Sequence, residues 1–154
     1  AEFLEHLNGL LLPDTQGTRF MTMLLATVNA KSGTLRWASA GHGAPIIYDC
    51  NEDTFLELEG GGIPLGISDA AEYEEYTNHV ATPGHIVLLA TDGIWEARGD
   101  GEELYGMDRL FELIRSLSHL PAKEISDGIR AAIAEFQGTH EPDDDMTYVV
   151  IRVP

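Results

Sequence analysis

The tightest constraint on this chain is a run of five apolar residues followed by a carboxylate. Ile86-Val87-Leu88-Leu89-Ala90 stands between Pro83-Gly84 and Asp92-Gly93. A short continuous apolar run with turn residues at both ends reads as a strand buried on both faces. Such a strand needs covering layers on each side, so it sets the middle of a layered fold. Asp92 arrives where the strand ends, and Gly93 lets the backbone turn sharply there. Alone, the pair is as well explained by a plain Asp-Gly turn. A second acidic stretch, Asp143-Asp144-Asp145, precedes another strand-like run, Met146 to Ile151. Strands that deliver carboxylates from separate ends can build an oxygen-only site for Mg²⁺ or Mn²⁺. The competing reading of the triplet is a solvated loop.

The remaining elements follow from periodicity. Phe3, Leu4, Leu7, Leu10 and Leu11 recur at helical spacing, and Pro13 is expected to stop that first helix. Phe20 to Asn29 and Thr34 to Ala40 read as a hairpin turned by Lys31-Ser32-Gly33. Short strands are expected at Ile46 to Tyr48, Thr54 to Leu58 and, more exposed, Tyr73 to Val80. Glu59 to Gly66 is glycine-rich but lacks the Lys and Ser/Thr of a phosphate-cradling loop, so it reads as a connector. Met107 to Leu117 carries one apolar face, and Pro121 opens a last helix that Gly138 ends. Many antiparallel strands with two late helices predict an α+β layered fold.

At 154 residues the chain is long enough for one domain with a real core. Its formal charge of −17 argues against nucleic acid and against anionic membrane surfaces. No apolar run reaches membrane-spanning length. The single cysteine, Cys50, permits no internal disulfide and fits a reducing cytoplasm. It reads as filler beside a turn.

Asp92 and Asp144 are the first candidates for metal ligands, with Asp145 beside them. His42 reads as a turn residue in a small-residue loop. His6, His79, His85, His119 and His140 lack metal-ligand spacing and read as surface or capping residues. Ser39 has no nucleophile-elbow context. Arg19 and Arg98 have the reach to meet a phosphate, but exposed salt bridges are the stronger reading of both.

Taken in order, Ala40-Gly41-His42 with Pro45, Pro64-Leu65-Gly66, Pro83-Gly84, Thr91-Asp92-Gly93 with Glu96-Ala97, Tyr105-Gly106 with Arg109-Leu110, and Asp144-Asp145-Met146-Thr147 form a set. The set resembles the bacterial branch of the metal-dependent protein serine/threonine phosphatases, the PPM or type 2C family. That branch includes the sporulation stage II and stress-response phosphatases of sigma-factor regulation. The resemblance implies a sandwich of two packed antiparallel sheets flanked by helices. It implies Mn²⁺ or Mg²⁺ ions that activate a water for direct attack on phosphoserine or phosphothreonine. Asp92 matches the ligand of the Thr-Asp-Gly motif, Asp144 that of the Asp-Asp-x-Thr motif, and Asp145 its neighbour.

Family members also carry an earlier Gly-Asp motif whose aspartate bridges the metals, and nothing in this sequence matches it. The expectation is a single phosphatase domain over residues 1–154 that lacks its first strands. A sensor or receiver module is then expected upstream, with the open sheet edge covered by homodimerisation. The implied substrate is a phosphorylated signalling protein, such as an anti-sigma factor antagonist. The rival reading is a non-catalytic module that uses the same fold to bind a regulatory partner. A Ca²⁺-binding β-domain fits the acidic composition but not the ordered motifs.

Overall fold

The computed structural model describes residues 1–15, 18–29, 31–56, 58–79, 82–99, 103–140 and 142–153. In chain order the elements are α1 (Glu2–Thr15), β1 (Met23–Asn29), β2 (Thr34–Ala40), β3 (Ile46–Asp49), β4 (Thr54–Leu56), β5 (Glu75–Asn78), β6 (His85–Ala90), α2 (Met107–Leu117), α3 (Ala122–Gln137) and β7 (Tyr148–Arg152). They make two antiparallel sheets and three helices, the expected α+β class. The chain divides into two compact units, Ala1–Ala44 with Glu57–Thr82 and Pro45–Leu56 with Pro83–Pro154.

The first unit holds α1 and the three-stranded sheet β1-β2-β5. The β1–β2 hairpin forms as expected, with Ala26 opposite Trp37. Strand β1 starts later than Phe20; Met21 instead exchanges both backbone hydrogen bonds with Leu65 in an isolated bridge. Pro13 does not stop α1, contrary to the sequence expectation. A proline three residues from a helix end removes only one ladder donor. That end is also held from outside. Asn8 is buried, donates to the Ser68 carbonyl and accepts from the Gly66 N–H, both at 2.8 Å. The Thr15 hydroxyl donates to the Gly66 carbonyl at 2.8 Å. Leu4, Ala40, Leu65 and Tyr73 form the core of this unit. The residues expected as a glycine-rich connector therefore anchor the helix. Ser39 is buried, and its hydroxyl donates to the His42 carbonyl at 2.6 Å, which makes His42 a turn residue as expected.

The second unit holds the four-stranded sheet β4-β3-β6-β7, and β6 lies between β3 and β7. Ile86, Leu88 and Ala90 face α2 and α3, where Leu110, Ile114, Ile125, Ile129 and Ile133 are buried. Ile47 and Val87, paired across β3 and β6 and pointing to the other face, are fully buried too. The central position expected for β6 is the position it has. The Tyr148 hydroxyl donates to the Ser126 carbonyl at 2.9 Å and ties β7 to α3. His85 corrects the sequence reading: it is buried at the start of β6, opposite Asp49 in the ladder, with Nε2 3.5 Å from the Asp49 carboxylate. The strand simply begins one residue before the apolar run. Among the described residues, no helix is long and apolar enough to cross a membrane.

Candidate metal centre

The antiparallel pairing of β6 with β7 sets Ala90 opposite Tyr148, so the chain leaving β6 meets the chain entering β7. Thr91 joins them. Its N–H donates to the Thr147 carbonyl at 2.9 Å, and the Thr147 N–H donates back to the Thr91 hydroxyl at 3.0 Å. That hydroxyl donates in turn toward the Asp145 carbonyl at 3.2 Å. Backbone pairing and the Thr91 hydroxyl thus bring the two acidic motifs side by side.

Past Thr91 the backbone winds into a single 3-10 turn, Asp92–Ile94. The Asp92 carbonyl accepts the N–H groups of Trp95 and Glu96, at 3.0 and 2.9 Å. Its carboxylate accepts the Gly93 N–H at 3.1 Å, and the residue is exposed. Gly93 is buried where the two segments approach most closely. A Cβ there would stand 2.9 Å from the Asp145 carbonyl oxygen, so only glycine lets them meet.

A cleft of about 440 Å³ opens beside this junction, walled by Glu96, Arg98, Leu104, Gln137, Asp143 and Asp144 among others. The Asp144 carboxylate accepts the Asp145 N–H at 2.7 Å, and the Asp143 carboxylate pairs with Arg98 Nε at 3.1 Å. Of the three candidate ligands, Asp144 lines the cleft; Asp92 and Asp145 are exposed outside its wall. Asp145 contributes chiefly its main-chain carbonyl to the junction. Among the described residues, no three His, Cys, Asp or Glu side chains gather into a metal cluster. Asp92 and Asp144 are still hard oxygen donors on adjoining segments. That donor set suits Mg²⁺, which is held by one or two carboxylates and otherwise by waters and substrate phosphate.

Sequence reasoning gives no role to two residues of the cleft wall. Glu96 figures there only as part of the Thr91-Asp92-Gly93 motif; it follows Asp92 by four residues across a turn too short to be read as a helix. Gln137 is buried at the end of α3 beside the cleft, where the sequence shows only the last polar residue before Gly138.

The phosphoserine phosphatase RsbU of Bacillus subtilis (strain 168) is 30% identical over 152 residues, which cover 99% of this chain and 44% of RsbU. The SiaA-PP2C domain of Pseudomonas aeruginosa is 26% identical, with a TM-score of 0.72 over 85% of this chain and 51% of that one. The Mn-presoaked phosphatase domain of SpoIIE from Bacillus subtilis shares the fold, with a TM-score of 0.61 at 17% identity, over 97% of this chain and 64% of that one. The chain spans less than half the length of RsbU. From residue 1 to residue 154 the sequence matches stage II sporulation protein E, and the chain belongs to the SpoIIE family of PP2C-type phosphatase domains.

Proposed function

We propose that residues 1–154 form the C-terminal major part of a PP2C-type domain that hydrolyses phosphoserine or phosphothreonine on a protein. One observation carries this reading: the Thr91 hydroxyl and the β6–β7 ladder join Thr91-Asp92-Gly93 to Asp144-Asp145-Met146-Thr147. Residues that are far apart in sequence meet at the ends of adjacent strands, as a shared site requires. Asp92 and Asp144 hold Mn²⁺ or Mg²⁺, with Asp145 shaping the segment beside them. Such an ion, when bound, supplies positive charge to a phosphoryl oxygen and lowers the pKa of water for attack on phosphorus. The chain's own groups do the rest. The 3-10 turn fixes the Asp92 backbone, and the close approach at Gly93 holds the two segments in register.

The match to one family over residues 1–154 supports the single-domain reading, and the 51% of the SiaA-PP2C domain that this chain covers supports its truncation. On that reading the bridging carboxylate, like the first strands, comes from outside residues 1–154. A substrate such as a phosphorylated anti-sigma factor antagonist, an upstream sensor or receiver module, a homodimer and a cytoplasmic location all belong to this proposal. The rival, a non-catalytic binding module, draws support from the lack of a three-ligand cluster among the described residues.

The deciding experiment is phosphate release from a phosphoserine peptide, with and without Mn²⁺, by the full-length protein and by residues 1–154. Metal-dependent turnover by the full-length protein, lost in Asp92→Asn and Asp144→Asn, is expected, with little from residues 1–154 alone. Full-length turnover that survives both substitutions overturns the site. Robust turnover by residues 1–154 overturns the missing bridging ligand.

A further inference from the structure

The cleft beside Asp144 is acidic, which is a poor environment for a phosphorylated substrate. Glu96, Asp143 and Asp144 line it. A phosphomonoester carries about −1.5 to −2 charges at pH 7 and is repelled by carboxylates. Arg98 is the one cationic side chain among the described residues of that wall.

Its backbone is held on both sides. Arg98 bridges Leu104. The Tyr105 N–H donates to the Ala97 carbonyl at 2.8 Å and the Gly99 N–H to the Glu103 carbonyl at 2.9 Å. Gly99 packs closely on Phe136: a Cβ there would stand 3.1 Å from the ring and from the Phe136 carbonyl oxygen, so this segment cannot move toward that residue. The guanidinium therefore reaches the cleft from a fixed point, and its Nε meets the Asp143 carboxylate at 3.1 Å. The two side chains are 44% and 60% exposed. Exposed pairs of this kind are weak and readily exchanged.

We infer that Arg98 is the phosphate-positioning residue of this site. Its guanidinium exchanges the Asp143 carboxylate, which competes for it in the free protein, for the phosphoryl oxygens of the substrate. The exchange is favourable because a phosphoryl group offers more charge and two oxygens matched to the guanidinium fork. This inference rests on the phosphatase reading above and deepens it. It gives the substrate a phosphomonoester dianion held by arginine beside the carboxylate-bound ion.

The test is steady-state kinetics of the full-length protein on a phosphoserine peptide, with inorganic phosphate as a competitive inhibitor. Arg98→Ala is expected to raise KM by about 10- to 100-fold, the range for a lost charge-assisted hydrogen bond, with kcat far less affected. The inhibition constant of inorganic phosphate rises in parallel. Arg98→Lys recovers part of the loss, because it keeps the charge without the fork. Asp143→Asn removes the competing carboxylate and leaves KM unchanged or lower. An unchanged KM and phosphate inhibition constant in Arg98→Ala would overturn the assignment, as would a KM raised equally by Asp143→Asn, since the pair would then be only structural. A thermal melt of each variant separates loss of fold from loss of phosphate binding. Asp92→Asn in the same assay keeps the two readings apart: if it abolishes turnover while Arg98→Ala binds phosphate normally, this inference alone fails.

Discussion

Strands β2 and β6 are both interior strands of an antiparallel sheet, yet they sit in different surroundings. Around β6, apolar side chains are buried on both faces, and two amphipathic helices cover one of them. Around β2, the neighbouring strands alternate: β1 leaves Leu25 45% exposed, and β5 is exposed at every other residue. Phe20, Met21, Ile63 and Ile67 in the same unit are exposed as well. The lesson is one of division. A strand that is apolar throughout makes a rigid frame, and the carboxylates at its end inherit that rigidity. The more open unit is held by polar bonds at specific points, such as Asn8 to the residue 66–68 loop.

The largest test of this contrast is core truncation. Leu88→Ala, in a site 2% exposed and packed on two helices, is expected to cost about 3–5 kcal/mol by denaturant unfolding. Leu4→Ala removes an equally buried side chain from a smaller core that collapses more easily, and should cost nearer about 2–3 kcal/mol. A larger loss at Leu4 would break the contrast.

Glycines sharpen it next. Gly93→Ala drives a Cβ to 2.9 Å from the Asp145 backbone oxygen, so the two acidic segments must part. About 1–3 kcal/mol of stability should be lost, and metal-dependent turnover with it. Gly128→Ala in α3 meets only the Leu117 methyl at 2.5 Å, a flexible end. Repacking there is offset by about 1 kcal/mol of helix propensity, so thermal melts of this variant should stay close to the parent.

Two tyrosines give a smaller, signed comparison. Tyr148→Phe removes the bond to the Ser126 carbonyl and should cost about 0.5–1.5 kcal/mol. The Tyr73 hydroxyl in the first unit is buried with no partner among the described residues, so Tyr73→Phe should be neutral or slightly stabilising. Equal losses in the two variants, read from chemical denaturation, would contradict the pairing described for each.

The smallest effect is a dependence on pH. The Asn51 N–H holds the Asp49 carboxyl below its usual range, with burial opposing and His85 assisting. A depressed folded pKa means the stabilisation is complete above the unfolded value of 3.8 and is lost as pH falls through the lower folded value. Asp49→Asn should therefore flatten the acid limb of the unfolding curve and leave the neutral region nearly unchanged.

The frame was legible in the sequence because its signals are local. The apolar run of β6, the stripes of α2 and α3, and the Lys31-Ser32-Gly33 turn are each set by neighbours within one element. Asp92 and Asp144 could be picked as candidates because each stands at the end of a strand-like run. What could not be read depends on partners distant in sequence. Pro13 lies within α1 because Asn8 and Thr15 find Gly66 and Ser68. His85 is buried because Asp49 stands opposite it. The junction at Thr91 depends on the β6–β7 register, and the Arg98–Asp143 pair on a cleft assembled from four segments.

On the proposed function, the carboxylates that would hold metal stand at the end of the rigid strand and not in the more open unit. The most direct test of this central claim is Mn²⁺ titration of the ¹⁵N-labelled protein, read as paramagnetic broadening of backbone amides. Broadening should centre on Thr91 to Glu96 and Asp143 to Thr147, and it should disappear in Asp92→Asn and Asp144→Asn. Broadening centred on Glu72, Glu74 and Glu75 of the other unit, or unchanged by both substitutions, would contradict the account.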